Sequence, residues 1–216
     1  MMGLPAPMTL LRLLAPCSSG RMRFRIQRRR QLALTFDDGP HPQTTPAILD
    51  ALAAAGARAT FFVQGSAVAT TPQIIQRAHK EGHCIASHGM THVSARRQPT
   101  AAAVANATQC HDLLQQVLGA ELPRLYRPPY GELSLGALRG LLESDFRLEF
   151  WNRDSQDSFV ESAAELRHHF AQSPPADGDI LLFHDDYRIT TEALPDLLRQ
   201  IAEAGLATVR MDAATT

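Results

Sequence analysis

The chain of 216 residues is long enough for one sizeable hydrophobic core, whereas two domains would each be small, so we expect one folded domain. A formal net charge of −1 argues against nucleic acid or an anionic membrane as the main partner. The three cysteines, Cys17, Cys84 and Cys110, show no CxxC spacing, which indicates neither a disulfide framework nor a cysteine zinc site and favours a reducing compartment.

The N-terminal residues 1–30 are predicted to form a partly disordered, arginine-rich arm. The segment Arg21–Arg30 carries six arginines and no acidic residue, and we interpret it as a solvated arm rather than a phosphate-binding or lipid-binding patch. The apolar run Met8–Ala15 is interrupted by Arg12 and has no basic residue before it, which is atypical of a signal peptide. No apolar run approaches the ~20 residues of a membrane-spanning helix. We therefore expect a cytoplasmic protein without an integral membrane segment, with a periplasmic or membrane-associated location as the alternative.

Residues 31–212 alternate between strand-like and helical patterns. Seven runs are predicted as strands: Leu32–Phe36, Ala59–Val63, His83–Ser87, Arg124–Arg127, Arg147–Trp151, Asp179–His184 and Ala207–Arg210. Six segments are predicted as helices: Thr45–Ala55, Pro72–Glu81, Thr100–Leu118, Ser134–Glu143, Glu161–Ala171 and Thr191–Ala204. Alternating β and α units imply a parallel sheet with helices outside it. Seven units predict a distorted, incomplete (β/α) barrel of the α/β class.

Two adjacent aspartates, Asp37 and Asp38, end the first predicted strand. The strand stops at Gly39-Pro40, because proline has no N–H for the ladder. The carboxyl ends of parallel strands form the edge at which such folds bind ligands. Because neighbouring strand side chains point to opposite faces, we expect one aspartate to bind a metal and the other to handle a proton. Taken alone, the stretch is equally consistent with an ordinary turn.

Two histidines follow the third predicted strand at a spacing typical of metal ligands. His88 and His92 are four residues apart, which places both imidazoles on one face of a helical turn. With a free aspartate at the end of another strand, they favour a metal site of two histidines and one aspartate over structural histidines. His83, at the start of the same strand, is predicted to lie outside this site.

Three later strand ends also carry polar residues. The stretch Tyr126–Gly131 contains paired prolines that fix the backbone, so a following N–H can be held towards developing negative charge, and Arg127 can form a fork with a carboxylate. Asp154 and Asp157 follow the fifth predicted strand. His184 ends an apolar strand, where burial would lower the pKa of its ring unless a carboxylate binds the other ring nitrogen.

The order of TFDDGP, HxxxH, RPPYG, WNRDSQDS and LLFHD resembles the five-motif signature of the polysaccharide deacetylase, or NodB-homology, family, which is carbohydrate esterase family four. The resemblance covers Gln31 to about Met211. It implies one divalent ion, with Zn²⁺ preferred and Co²⁺, Ni²⁺ or Mn²⁺ as alternatives. The implied ligands are Asp38, His88 and His92.

The same resemblance implies roles for the residues that transfer protons and bind substrate. Asp37 is the implied base, positioned by Arg127, and His184 the implied general acid. The aspartate that tunes this acid aligns with Asp157, with Asp154 as the second choice. The Tyr130 N–H is expected in the oxyanion hole. The expected substrate contacts are Pro129, Tyr130, Leu182, which lines the acetyl pocket, and Trp151.

The chain departs from the family pattern at two positions. The family often has Ser or Thr after the first histidine, where this chain has Gly89, and Thr91 is a candidate substitute for that hydroxyl. The fourth motif often ends in Asp-Trp, whereas Asp157 is followed here by Ser158. A groove wall is therefore expected to be missing.

The implied activity is removal of N-acetyl groups from amino sugars of a poly- or oligosaccharide, with release of acetate. One alternative is O-acetyl ester hydrolysis or deformylation of a lipid-linked sugar at the same site. Another is an inactive glycan-binding module. A glycosidase that uses Asp37 and Asp38 is disfavoured, because adjacent strand residues diverge and both histidines would then have no role. The sequence does not predict an oligomeric state.

Overall fold

The computed structural model describes residues 11–18 and 20–213. Nine strands occur among these residues: β1 Met22–Arg23, β2 Gln31–Asp37, β3 Thr60–Val63, β4 Cys84–Ser87, β5 Leu125–Tyr126, β6 Arg147–Glu149, β7 Arg153–Asp154, β8 Ile180–His184 and β9 Ala207–Val209. Between residues 44 and 203 lie seven α-helices: α1 Thr44–Ala54, α2 Gly65–Thr70, α3 Pro72–Lys80, α4 Thr100–Leu118, α5 Leu135–Glu143, α6 Ala163–Gln172 and α7 Arg188–Glu203.

The strands form a single sheet with the order β1-β6-β5-β4-β3-β2-β8-β7, and β9 pairs with the start of β2. Every pairing is parallel. Helices connect most of the strands, as parallel pairing requires. The predicted fold, a distorted and incomplete (β/α) barrel, is confirmed.

The strands are more numerous than the seven predicted, and the ends of the predicted strands shift by one or two residues. β1 and β7 are additional short strands at the two ends of the sheet order. The predicted strand Arg147–Trp151 ends early, at Glu149. The carbonyl oxygens of Glu149 and Phe150 accept hydrogen bonds from the Arg127 guanidinium, at 3.2 Å each, instead of continuing the strand.

The helices agree with the six predicted ones apart from shifted ends and one addition. α2 is a helix of six residues that was not predicted. Such a helix is too short to show a 3.6-residue apolar period, which is the signal that the prediction used. Within the described part of the chain, none of the helices combines the length and apolar composition needed to cross a membrane.

The alternation of side chains along β2 separates the core from the functional face. Leu32, Leu34 and Phe36 are fully buried and pack in the cluster formed with the outer helices. Because successive strand residues point to opposite faces, Thr35 and Asp37 share the inner face of the curled sheet. Both are buried and both bind the same arginine there. The strand thus carries its last carboxylate into the barrel interior.

The interpretation of Arg21–Arg30 as a solvated arm is wrong for its first part. β1 pairs with β6, Arg23 is buried in an ion pair of 2.6 Å with Glu149, and the ring of Phe24 stacks on Phe150 at 4.5 Å. The missed signal was the alternation of apolar residues with arginines from residue 22 to residue 26, which is a strand pattern. The part of the predicted arm at residues 1–10 lies outside the described residues, and the domain limits stay predictions.

Candidate active site

Polar residues from five strand ends meet in one cleft at the carboxyl edge of the sheet. The cleft has a volume of about 590 Å³. The predicted site residues that line it are Asp37, Asp38, His88, His92, Tyr130, Trp151, Asp154, Leu182 and His184. Pro129 is buried and does not line the cleft, so the expected contact of its side chain with substrate is not supported.

Asp38, His88 and His92 form a group whose ligand atoms all lie within 4.8 Å of one another. The Asp38 Oδ1 atom is 3.5 Å from His88 Nε2 and 3.1 Å from His92 Nε2. Donor atoms bound to one zinc ion at about 2.0–2.2 Å lie roughly 3–3.5 Å apart in a tetrahedral arrangement. The spacing therefore fits one divalent ion.

The protonation state of His88 also fits a metal ligand. Its Nδ1 lies 2.7 Å from the Arg127 carbonyl oxygen, which can only accept a hydrogen bond, so Nδ1 carries the proton. The Nε2 lone pair is then directed towards Asp38. Burial lowers the pKa of His88 to about 3, which keeps the ring neutral as ligation requires.

The loop that carries both histidines is held by Asn106, a residue that the sequence reasoning missed. Its Oδ1 accepts hydrogen bonds from the N–H groups of Met90 and Thr91 at 2.7 and 3.1 Å, and its Nδ2 donates to the Thr91 carbonyl at 3.3 Å. Gly89 has a φ of +90°, and a Cβ there would lie 3.1 Å from Asn106 Nδ2. Glycine thus suits this position, and a side-chain amide holds the loop backbone. An asparagine among the alanines of α4 was the available signal in the sequence.

Asp37 is paired with a fully buried arginine. Arg127 Nη1 donates to Asp37 Oδ1 at 2.8 Å and to Thr35 Oγ1 at 2.7 Å. The other guanidinium nitrogens donate to main-chain carbonyls, so the contact with Asp37 runs through Nη1 and is not the predicted fork. Burial raises the pKa of Asp37, and the charge of Arg127 opposes this rise. A carboxylate with a raised pKa is a better proton acceptor.

His184 is paired with Asp157, as predicted, and not with Asp154. Its Nδ1 lies 2.8 Å from Asp157 Oδ1, while Asp157 Oδ2 accepts hydrogen bonds from His184 N and Thr190 Oγ1, each at 2.7 Å. Burial alone would lower the pKa of His184, but the hydrogen bond and charge of Asp157, together with the charges of Asp37 and Asp38, outweigh it and raise this pKa to about 10. His184 is therefore an imidazolium at neutral pH, which can donate a proton.

Three non-glycine residues with positive φ lie around the cleft: Asp38 at 78°, Tyr130 at 62° and Gln156 at 69°. Such conformations are uncommon for these residue types and concentrate at functional sites. Tyr130 follows the paired prolines, and its ring packs 4.5 Å from that of His92. The expected role of its N–H in an oxyanion hole stays a prediction.

Asp185 supports the turn that follows the two aspartates, a role that the sequence reasoning did not assign. It is fully buried, and its Oδ2 accepts a hydrogen bond from Thr45 Oγ1 at 2.6 Å. A Cβ at Gly39 would overlap this carboxylate, which explains the glycine. Burial raises the pKa of Asp185 to about 7.

Ser158 was expected to leave one wall of the groove missing, but the next residue, Phe159, supplies an aromatic side chain there. Ser158 lines the cleft, and so does Phe159, whose ring is exposed for 75% of its surface. Sequence reasoning looked for an aromatic residue directly after Asp157 and overlooked Phe159, one position further along. His83 lies outside the cleft, as expected: its Nδ1 accepts a hydrogen bond from Ala59 N at 3.2 Å.

Together, the fold and the cleft define an α/β-barrel protein with a potential Asp-His-His metal centre at the carboxyl edge of its strands. A comparison with protein families matches residues 25–147 to the model described as "Polysaccharide deacetylase". The chain belongs to this family.

Named relatives and a solved structure agree with the family. The chain is 33% identical over 174 residues to the peptidoglycan-N-acetylmuramic acid deacetylase PdaC of Bacillus subtilis, covering 81% of this chain and 36% of PdaC. It is 36% identical over 166 residues to a chitooligosaccharide deacetylase of Bradyrhizobium, covering 73% of this chain and 72% of that protein. The chain thus spans about a third of PdaC and most of the second relative.

A crystal structure of the Bc1960 peptidoglycan N-acetylglucosamine deacetylase, in complex with 4-naphthalen-1-yl-N-oxidanyl-benzamide, superposes with a TM-score of 0.86 at 26% identity. The match covers 93% of this chain and 95% of that one. The incomplete barrel is therefore shared over nearly the whole chain.

Proposed function

We propose that this protein removes N-acetyl groups from amino-sugar units of a glycan, using a divalent ion held by Asp38, His88 and His92. The observation that carries the proposal is the register of β2 and β8. Asp37 and His184 are direct partners on these hydrogen-bonded strands, which lie ~4.8 Å apart. A proton acceptor and a proton donor thus stand side by side next to the metal ligands.

The three ligands suit Zn²⁺, which accepts imidazole and carboxylate donors and leaves coordination positions open in catalytic sites. When bound, such an ion lowers the pKa of water towards ~7 and polarises a carbonyl oxygen. Gln64 Nε2 donates to Asp38 Oδ1 at 2.9 Å, and the Arg127 carbonyl fixes His88. These contacts hold the ligand side chains in place, which supports metal affinity.

The proposed reaction adds water to the amide and yields acetate and a free amine. Asp37 accepts a proton from the attacking water, and Arg127 holds the carboxylate in place from inside the barrel. The proposed role of the Tyr130 N–H is to stabilise negative charge on the carbonyl oxygen. His184 donates its Nε2 proton to the departing nitrogen, and the resulting neutral ring remains bound to Asp157 through Nδ1.

The protonated state of His184 favours an amide over an ester as the bond that is cleaved. An amine is a poor leaving group unless it is protonated, whereas an ester depends less on a general acid. The pKa of about 10 keeps that proton in place across the neutral range. We therefore prefer hydrolysis of an amide, as in N-deacetylation, to O-deacetylation at this site.

Acetate release from a panel of N-acetylated and O-acetylated oligosaccharides, with and without a chelator, tests the proposal. We expect release from N-acetylated substrates, its loss with chelator, and its recovery when Zn²⁺ is restored. Release from O-acetylated substrates alone would favour the esterase alternative. Binding of glycans without any acetate release from metal-loaded protein would instead identify a glycan-binding module.

A further inference from the structure

A cavity lies against the edge strand β1, at one end of the sheet order. It has a volume of about 410 Å³, within the range of roughly 300–1,000 Å³ that is typical of small-molecule sites. All the residues that line it belong to the N-terminal segment 12–27. It shares no lining residue with the catalytic cleft. We call it the Arg12 cavity.

The charged side chains that line the Arg12 cavity, within the described part of the chain, are all arginines: Arg12, Arg23 and Arg25. Arg23 is buried, and its Nε and Nη2 atoms donate to the carboxylate of Glu149, while Nη2 also donates to the Met211 carbonyl. The charge of Arg23 is therefore balanced inside the protein. The net positive charge of the cavity comes from Arg12 and Arg25.

Arg12 and Arg25 both retain donors for a ligand. Arg12 is exposed and makes neither an ion pair nor a hydrogen bond with any described residue. Arg25 Nη2 donates to the Asp177 carbonyl at 2.8 Å and lies 3.2 Å from Asp179 Oδ1, whereas its Nε and Nη1 have no acceptor among the residues that the structure describes. Asp179 Oδ1 also accepts a hydrogen bond from Asn152 Nδ2 at 2.7 Å, so this carboxylate is shared. Both guanidinium groups can therefore bind an anion.

The wall of the cavity beside these arginines is apolar and held in place. Met22 and Phe24 are buried, and Met22 lies on β1, which pairs with β6. The ring of Phe24 stacks on Phe150 with 4.5 Å between the ring centroids. Gln27 is exposed, and its side-chain amide binds none of the described residues. Two arginines beside a fixed apolar wall suit an anionic group that carries an organic part.

We propose that the Arg12 cavity binds a phosphate monoester, whose phosphate is held by Arg12 and Arg25. The guanidinium group presents paired N–H donors that match phosphate oxygens. A phosphate monoester offers three acceptor oxygens, which is enough for two guanidinium groups, whereas the two oxygens of a carboxylate are satisfied by one. The inference gives a role to the arginine-rich segment that the catalytic site leaves unused. It does not rest on the proposed function.

Isothermal titration calorimetry with sn-glycerol 3-phosphate tests the proposal. We expect Arg12→Gln to weaken binding of this monoester about 10-fold, since a hydrogen bond to a charged group contributes about this much. Arg25→Gln should also weaken it. The matched control is Arg96→Gln, which removes an exposed arginine that lines neither the cavity nor the cleft and should leave the affinity unchanged. Binding of the probe at the metal centre would not depend on Arg12, so the comparison separates the two sites.

Co-sedimentation with phosphatidylcholine vesicles, prepared with and without phosphatidic acid, distinguishes the two sources of a phosphate monoester. Sedimentation that requires both phosphatidic acid and Arg12 identifies a lipid headgroup, whereas binding of glycerol phosphate alone identifies a soluble ester. The absence of binding to both probes, or an affinity that Arg12→Gln and Arg25→Gln leave unchanged, would overturn the proposal. An equal loss in Arg96→Gln, or equal affinity for the carboxylate probe D-glycerate, would also overturn it, because the attraction would then be unspecific.

Discussion

The two halves of the cleft hold their reactive groups by opposite arrangements of charge. On one half, the carboxylate of Asp37 faces the cleft and a buried cation, Arg127, lies behind it. On the other half, the imidazole of His184 faces the cleft and a buried anion, Asp157, lies behind it. In both halves, the supporting residue is fully buried, and its remaining hydrogen bonds go to the main chain and to one threonine hydroxyl.

The difference lies in which effect decides the pKa. For Asp37, burial outweighs the nearby cation, so its pKa rises. For His184, the hydrogen bond and charge of Asp157, with the charges of Asp37 and Asp38, outweigh burial, so its pKa also rises. A raised pKa makes the carboxylate of Asp37 a stronger base, whereas it keeps the imidazole of His184 protonated. The same direction of pKa shift therefore prepares Asp37 to accept a proton and His184 to donate one.

Removing the imidazole ring of His184 should have the largest effect on the rate of acetate release. We expect His184→Ala to reduce kcat for an N-acetylated substrate by about 10²–10⁴-fold, because a general acid contributes that much. The steady-state rate of acetate release measures this. A change of less than tenfold would mean that another group protonates the amine.

Exchanging the buried anion should change the pH dependence of the same reaction. Without the carboxylate of Asp157, burial dominates and the pKa of His184 falls, so Asp157→Asn should move the basic limb of kcat/KM to lower pH. The matched control is Asp154→Asn, because Asp154 makes its hydrogen bond to Gln156 N. A basic limb that moves in the control and not in Asp157→Asn would reverse the assignment of the two aspartates.

Removing the buried cation should destabilise the protein as well as alter the base. Arg127→Met leaves the carboxylate of Asp37 buried without a partner, which typically costs about 3–5 kcal/mol of unfolding free energy. Since Arg127 opposes the rise of the Asp37 pKa, its loss should raise that pKa further and shift the acidic limb of kcat/KM to higher pH. Urea unfolding and a pH–rate profile measure the two effects. An unchanged acidic limb would show that Asp37 is not the base.

The smallest of these changes should come from the loop behind the metal ligands. Asn106→Ala removes three hydrogen bonds to the backbone at Met90 and Thr91, and residues that orient ligands typically affect metal affinity by about 10–100-fold. Gln109→Ala, at an exposed position of the same helix, is the control. Competition with a chelator measures the affinity. Equal affinity in both variants would show that Asn106 does not position the ligands.

The catalytic face was predictable because its signals are local. Asp37 and His184 end their strands, Asp38 and His88 directly follow a strand, and His92 lies four residues after His88. A period of two decides which face a strand residue occupies. Parallel strands then bring their carboxyl ends together whatever the strand order. The sequence pattern therefore indicated the members of the cleft without any knowledge of the pairing.

The supporting contacts were less predictable because they join residues that are distant in the chain. Arg23 and Glu149 are 126 residues apart, and no local pattern indicates that this arginine has a buried partner. The contact of Asn106 with the histidine loop depends on how α4 packs against β4. The position of Phe159 depends on the direction in which the chain leaves Asp157. The tertiary packing of the chain therefore determines the two contacts and the position of Phe159.

The central claim is that the two adjacent aspartates have different roles, and one paired measurement tests it most directly. Metal content per chain and the rate of acetate release are determined for Asp37→Asn and Asp38→Ala after the same metal loading. We predict that Asp37→Asn keeps its metal and loses activity by about 10²–10⁴-fold, whereas Asp38→Ala loses the metal and the activity together. Equal loss of metal in both variants, or full metal content in Asp38→Ala, would contradict the claim.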